Sequence, residues 1–356
     1  MSDRAGLLSP RHRQLSVAIY TTIALVAFEG TSVAAAIPDI AADLGDVGLV
    51  PWIITGYLFT LGLSTVLAGP FVDALGSRAL FVWSTVIFAG SGFTAGLVGD
   101  VTVLVSVRLV QGAASGFLFA AAIAAVNLGF PESLTGRAFA ANATIWGVMG
   151  AAAPAIAAVL LDVASWRWIF FINLPLGAIA WFAGRSTMPD RLDDAEPLHV
   201  DLLGAAFIGV FTLTTILAVD DLGVRSAAFG VIAVGAVAAY VRHARRADRP
   251  LVTLGHIAVQ PYASLAIVPS LMLAAAFCIN VYVTLYVAGG RSWSTGSAAW
   301  SVVFFTVGWT LGANLSSRLL DRATPISVMA FGLAVGVAGT STAAVGAVAD
   351  TSLAGL

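Results

Sequence analysis

The amino-acid sequence predicts an all-α integral membrane protein of about eleven transmembrane helices, with its N-terminus inside the cell. Three observations carry that reading. First, 59% of the 356 residues are hydrophobic and only 10% are charged, against roughly 25% charged in a soluble domain, and the mean hydropathy is +0.95. Second, long apolar segments recur between short polar loops, more than a soluble core of this size needs. Third, arginine crowds onto alternate loops. With the N-terminus inside, the inner loops carry thirteen arginines and the outer ones only Arg167, Arg225 and Arg291, a strong positive-inside asymmetry.

Composition also excludes whole classes of function. A net charge of −2 without a basic stripe gives nucleic acid nothing to bind. All 17 basic residues are arginine. Without lysine there is no Walker A phosphate loop and no Schiff base, so this chain alone does not drive transport with ATP. The single cysteine, Cys278, sits in an apolar span as a packing residue with no intramolecular disulfide partner. His12, His199, His243 and His256 lie far apart in polar flanks and have no metal-ligand spacing. No nucleophile–base pair stands out, so neither an enzyme nor a cofactor is expected. The arginines before the first apolar run mimic a signal peptide, but the run is too long and contains Glu29; it reads as an uncleaved first span.

The spans read in order as 15–37, 51–71, 79–99, 101–128, 138–161, 166–184, 202–219, 226–241, 262–288, 294–316 and 325–348. Small residues four apart, at Gly92/Gly96, Gly112/Gly116 and Gly332/Gly336, suit close helix contacts. The first span organises the rest. It is long enough, at about 1.5 Å per residue, to cross a hydrocarbon core of about 30 Å, and it holds one charge, Glu29. A carboxylate there costs roughly 2.5–3.5 kcal/mol on insertion scales. Desolvation disfavours its charged form, which makes Glu29 a candidate carrier of an exchangeable proton; the other reading is a structural carboxyl bonded to a neighbouring helix.

Depth supplies a partner. Glu29 lies eight residues before Ile37 and Arg108 seven residues after Val101, both counted from outer span ends. That puts both about 10–12 Å inside the outer edge. Mutual neutralisation is then the economical arrangement. Arg108 is expected to hold Glu29 ionised in one state and release it in another, the alternative being a static ion pair.

Three domains follow: residues 1–184 as a six-helix bundle, 185–261 as a cytoplasmic linker with two linking helices, and 262–356 as a C-terminal bundle of three helices, which the family resemblance below makes incomplete. The polar stretch 185–201 and a second at 242–261 set the middle pair apart. A faint repeat relates GPFVDALGSR (Gly69–Arg78) to SSRLLDRATP (Ser316–Pro325), aligning Asp73 with Asp321, with Arg322 beside it. Repeated bundles around a central site mark secondary transporters. In the first copy Asp73 and Arg78 are expected to pair with each other or with nearby helix ends, holding one closed conformation.

At these residues the sequence resembles the major facilitator superfamily. Gly69, Asp73, Gly76 and Arg78 match its signature between spans two and three, with Phe71, Ala74 and Ser77 departing from it. FEGTSVAAAIPDI (Phe28–Ile40) is similar to the first-span signature of the fourteen-span drug:proton antiporter branch, with Glu29, Thr31 and Pro38 at the expected places and Ala34 where Asn is usual. Arg108, Gln111 and Gly112 match the fourth-span signature. Gly150 and Pro154 match that of span five more loosely, and SWRWIFFINLPLG (Ser165–Gly177) resembles the start of span six. Together they cover residues 15 to about 325.

The resemblance implies major-facilitator-like helical bundles in the plasma or inner membrane. It further implies proton-coupled export of small amphipathic or cationic compounds, drugs among them, by alternating access. Its partners are then the bilayer, protons and a small-molecule substrate, with the proton gradient in place of a cofactor. Tyr57, Trp146, Asn280, Tyr282 and Tyr286 are polar or aromatic residues within spans and are weak candidates to line the substrate cavity. Against six, two and six helices in that branch, the sequence supplies six, two and three by Leu356. The last three spans are thus expected to be lacking. Either the sequence or its gene is shortened, or the chain completes itself by self-association. A different class of reading goes with this, a non-transporting remnant or interaction subunit on a transporter scaffold.

Overall fold

The computed structural model describes residues 6–45, 48–191, 197–219, 223–255, 259, 271, 307–316, 318–320 and 322–348. Their regular structure is helical throughout. α1 (Arg13–Leu44) contains the first span and runs on through Pro38. Gly45 stops it at φ 70°, a left-handed conformation open to a residue without Cβ, and its N–H reaches the Ala41 carbonyl at 3.1 Å.

α2 (Val50–Leu97) holds the second and third spans as two legs broken at Gly76, where φ is 79°. The chain reverses there, because both legs meet α3 (Val101–Gly129) at one level. A Cβ on Gly112 would lie 2.2 Å from the Tyr57 carbonyl of the first leg, and one on Gly92 of the second leg would lie 3.1 Å from Gln111 Nε2. Asp100 caps α3, accepting from the Val103 N–H at 3.0 Å. α4 (Glu132–Val163) passes through Pro154 without ending. α5 (Arg167–Phe171) and α6 (Asn173–Gly184) together form the sixth span. Pro175 has no N–H for the Phe171 carbonyl, which accounts for the interruption between them.

Two apolar cores stack along these helices. Ile19, Phe81, Phe88 and Leu118 centre the one towards the end that the arginine count assigns inside, named inner on that expectation, and Phe28, Ile53, Leu104 and Phe170 the other, named outer. Lipid tails are as apolar as leucine, so burial alone does not hold such helices together; close van der Waals approach does. Gly112 and Gly116 supply it between α3 and α2, with Gly116 set 2.1 Å, by a notional Cβ, from Ser64 Oγ. Gly96 receives the ring of Phe171 in the same way. At Gly332 and Gly336 a Cβ would meet nothing within 4 Å among the described residues. Trp83, Val163 and Phe182 are exposed, as lipid-facing side chains are.

α7 (Leu202–Val219) and α8 (Val224–Ala244) pack as a hairpin that touches the first leg of α2 near Leu63. Asp201 staples its polar end, accepting from Gly204 N–H at 2.8 Å and Leu251 N–H at 3.1 Å and meeting His243 Nε2 at 2.7 Å. Desolvation works against that charge. The Gly204 and Leu251 N–H groups, and then His243, outweigh it and hold the Asp201 carboxyl below the usual carboxylate range. The eleventh expected span appears as α9 (Pro325–Val348). Span nine, apart from Leu271, and the start of span ten lie outside the described residues. The end of span ten, 307–316, is helical and touches α4, Asn314 Nδ2 donating to Thr144 Oγ1 at 2.9 Å. Among the described residues six helices are long and apolar enough to cross a membrane, α2 counting once despite its two legs.

Of the two arrangements expected at the inner bend of α2, the pairing of Asp73 with Arg78 is not the one adopted. Arg78 forms an ion pair with Asp190, and its Nε donates to the Met188 carbonyl at 2.9 Å. Ser77 Oγ and the Arg78 N–H both donate to the Pro189 carbonyl at 2.9 Å. The reason is the close crossing at Gly76: the chain at Asp190–Arg191 lies where a Cβ would be, 2.4 Å from Arg191 N, and so brings these acceptors to Arg78. Gly76→Ala is expected to cost roughly 1–3 kcal/mol for the backbone alone, since φ 79° with ψ 156° is a conformation essentially reserved for glycine, and to push residues 188–191 off the bend. Limited trypsinolysis at Arg185 and Arg191 should accelerate in Gly76→Ala and not in Gly69→Ala, whose Cβ would meet nothing within 4 Å. Equal rates for the two variants contradict the strap.

Candidate functional site

Glu29 in α1 and Arg108 in α3 are each about 1% exposed and form a buried ion pair. The sequence alone requires a partner for each, because an uncompensated charge at this depth is costly. Arg108 is engaged on several sides. Nη1 donates to Glu29 Oε1 and, at 2.7 Å, to Gln111 Oε1 one turn along the same helix; Nε donates to the Ile53 carbonyl at 3.0 Å. Its guanidinium lies 4.1 Å from the ring centre of Tyr57 and 5.6 Å from that of Phe170, contacts that suit a planar, weakly hydrated cation. Asn173, the first residue of α6 and fully buried, donates from Nδ2 to Glu29 Oε2.

Each carboxylate oxygen of Glu29 therefore has its own donor, from two different helices. Two polar atoms beside them are orphaned. Gln111 Nε2 and Asn173 Oδ1 are buried without partners among the described residues. Tyr57 is fully buried, with its hydroxyl 2.8 Å from Ser115 Oγ, so it walls the ion pair instead of lining an open cavity. Gly112 stands where it lets the Tyr57 carbonyl approach α3.

Asn173 and Ser115 were not singled out in the sequence. Asn173 was within reach of the depth argument, since it lies seven residues into span six from the outer side, as Arg108 does in span four. Of the other residues named there, Trp146 is half-buried on α4 with its ring edge-on to Phe119. Gly150 is half-buried and Pro154 exposed, both within α4. Asp73 is exposed beside a cavity of about 460 Å³ that His199 and Arg249 also line. Arg322 is exposed, and Asp321, Asn280, Tyr282 and Tyr286 lie outside the described residues. Near the outer ends of α1 and α5, Asp43 accepts from Arg167 at 2.6 Å and from Trp166 Nε1 at 3.1 Å, bonds that hold its carboxyl below the usual range.

Residues 19–356 match the Major Facilitator Superfamily. The chain belongs to the major facilitator superfamily. It is thus a multi-pass protein of the cell membrane, in a family of transporters and not of enzymes. It is 28% identical over 324 residues to the tetracenomycin C resistance and export protein of Streptomyces glaucescens, covering 89% of this chain and 60% of that one. It is 27% identical over 347 residues to the drug efflux pump JefA of Mycobacterium tuberculosis, covering 92% and 68%. The chain thus spans about 60% of the first relative's length. The proton:xylose symporter XylE shares its fold at a TM-score of 0.55 and 12% identity, over 87% of this chain and 69% of that one.

Removing one member of a buried pair leaves the other charge uncompensated. Arg108→Gln is therefore expected to lower stability by about 3–5 kcal/mol. The double variant Glu29→Gln/Arg108→Gln is expected to recover most of that loss. Denaturation of all four forms in mixed micelles reads the coupling directly. Additive effects contradict the pairing.

Proposed function

We propose that this protein exports small amphipathic or cationic compounds in exchange for protons, in the manner of the fourteen-span drug:proton antiporter branch. The observation that supports it most is the seating of Glu29, a membrane carboxylate held by an arginine and an asparagine from separate helices. The relatives named for tetracenomycin C resistance and export and for drug efflux point the same way.

Arg108 and Asn173 stabilise the carboxylate while Glu29 is ionised. A proton on Glu29 removes the charge that attracts Arg108 and turns one oxygen from acceptor into O–H donor. Asn173 suits both states: rotation of its amide brings the orphaned Oδ1 to face that O–H, with no other group having to move. Arg108, released, keeps Gln111, the Ile53 carbonyl and the two aromatic rings as partners. Proton loading and helix contacts are coupled in this way, because α1, α3 and α6 meet at one carboxyl. The membrane field adds bias, about 2.3 kcal/mol per charge per 100 mV. The energy source is the proton gradient, and no cofactor takes part.

The test is substrate-dependent proton movement in inverted membrane vesicles containing the protein. Adding a lipophilic cation such as tetraphenylphosphonium should dissipate a preformed pH gradient with wild type. Glu29→Gln should abolish the response. A Glu29→Gln protein that moves protons as wild type does contradicts the proposal.

A further inference from the structure

A second polar cavity lies away from Glu29, at the end of the bundle that the arginine count places inside the cell. It encloses about 1080 Å³ between the start of α1, the α3–α4 turn and the chain after α6. Arg11, Arg78 and Arg137 all line it. Arg78 is satisfied by Asp190. Arg11 and Arg137 are exposed and have no carboxylate partner among the described residues. His12 is buried in the same wall, its Nδ1 3.3 Å from Ser9 Oγ and its ring edge-on to Phe130.

The backbone adds to the same field. α4 is preceded by Pro131, which offers no side-chain cap; the Leu134 N–H already meets the Pro131 carbonyl at 2.8 Å, and the N–H groups of Glu132 and Ser133 are left for an acceptor at the cavity's edge. The nearby acids do not cancel this charge: Asp190 is committed to Arg78, and Glu132 is the single acidic residue in that first turn. Leu15, Leu128 and Leu134 give one part of the wall an apolar character, beside the hydroxyls of Ser133 and Thr187. A cavity of positive head and apolar flank, at the end of membrane helices, has the chemistry of an anionic amphiphile.

We propose that this cavity binds the phosphate of an anionic phospholipid headgroup from the inner leaflet. Arg11 and Arg137 provide its charge, the first turn of α4 provides N–H donors, and the leucine flank takes the start of the acyl chains. The site is separate from the Glu29 centre and does not depend on its transport role. Occupied, it ties the start of α1 to α4 across the side of the bundle where Arg78 holds residues 188–190.

The experiment is native mass spectrometry of the full chain ejected from nanodiscs of equal phosphatidylglycerol and phosphatidylcholine. Wild type should retain phosphatidylglycerol preferentially. Each arginine facing an anionic headgroup is worth about fivefold, so Arg11→Gln/Arg137→Gln should reduce that preference by roughly tenfold or more. Both side chains are exposed, so the variant keeps its fold. Arg225→Gln, which removes an exposed charge assigned to the opposite face, should retain the preference. No preference in wild type, or equal loss in the double variant and Arg225→Gln, overturns the site. If millimolar inorganic phosphate displaces the lipid from wild type as effectively as added phosphatidylglycerol does, the ligand is a soluble phosphate and the lipid assignment is overturned.

Discussion

An ion pair with both partners about 1% exposed constrains everything around it. Glu29 and Arg108 neutralise each other at a depth where neither is tolerable alone. Their contact needs α1 beside α3, and the remaining donors and acceptors come from the surrounding elements: the Ile53 carbonyl from α2 and the Asn173 amide from α6. The aromatic rings of Tyr57 and Phe170 keep water from the pair while attracting the guanidinium. The outer apolar core therefore surrounds a polar centre instead of a uniform hydrocarbon packing. Buried pairs of this kind are weak contributors to net stability, because desolvation offsets the attraction. Their persistence in a membrane helix is better explained by a use for the charge than by a gain in stability.

The glycines extend the same constraint. Tyr57 reaches Arg108 because Gly112 lets the Tyr57 carbonyl approach the backbone of α3. At the inner end the chain reverses at Gly76, and its positive φ opens room for residues 188–191 to cross the bend. There the carbonyls of Met188 and Pro189 form a strap across the bend, accepting from Ser77 and Arg78. A motion that separates α2 from the chain after α6 must break these bonds.

Much of this was legible in the sequence, and the reasons differ by residue. Glu29 and Arg108 could be matched because depth along a helix converts directly to distance in a membrane of known thickness. Asn173 obeys the same arithmetic; it went unnoticed because a neutral amide raises no cost as conspicuous as a charge. The partner of Arg78 was out of reach. Asp190 lies 112 residues on, and only the fold shows that its strand of chain crosses Gly76. Tyr57 illustrates another limit: an aromatic residue within a span reads the same whether it lines a cavity or packs beneath a guanidinium. Helix continued almost to Gly76 from either side was not legible, since the polar residues around it resemble a loop.

The claim on which the rest depends is that Glu29 changes protonation when substrate binds. Difference infrared spectroscopy with glutamate labelled at the side-chain carbon tests it most directly. Tetraphenylphosphonium binding to wild type should produce a paired signal, the neutral carboxyl C=O stretch changing against the carboxylate bands, and Glu29→Gln should lack it. A carboxylate signal that is unaltered by binding in wild type would make Glu29–Arg108 a static structural pair and remove the proton exchange.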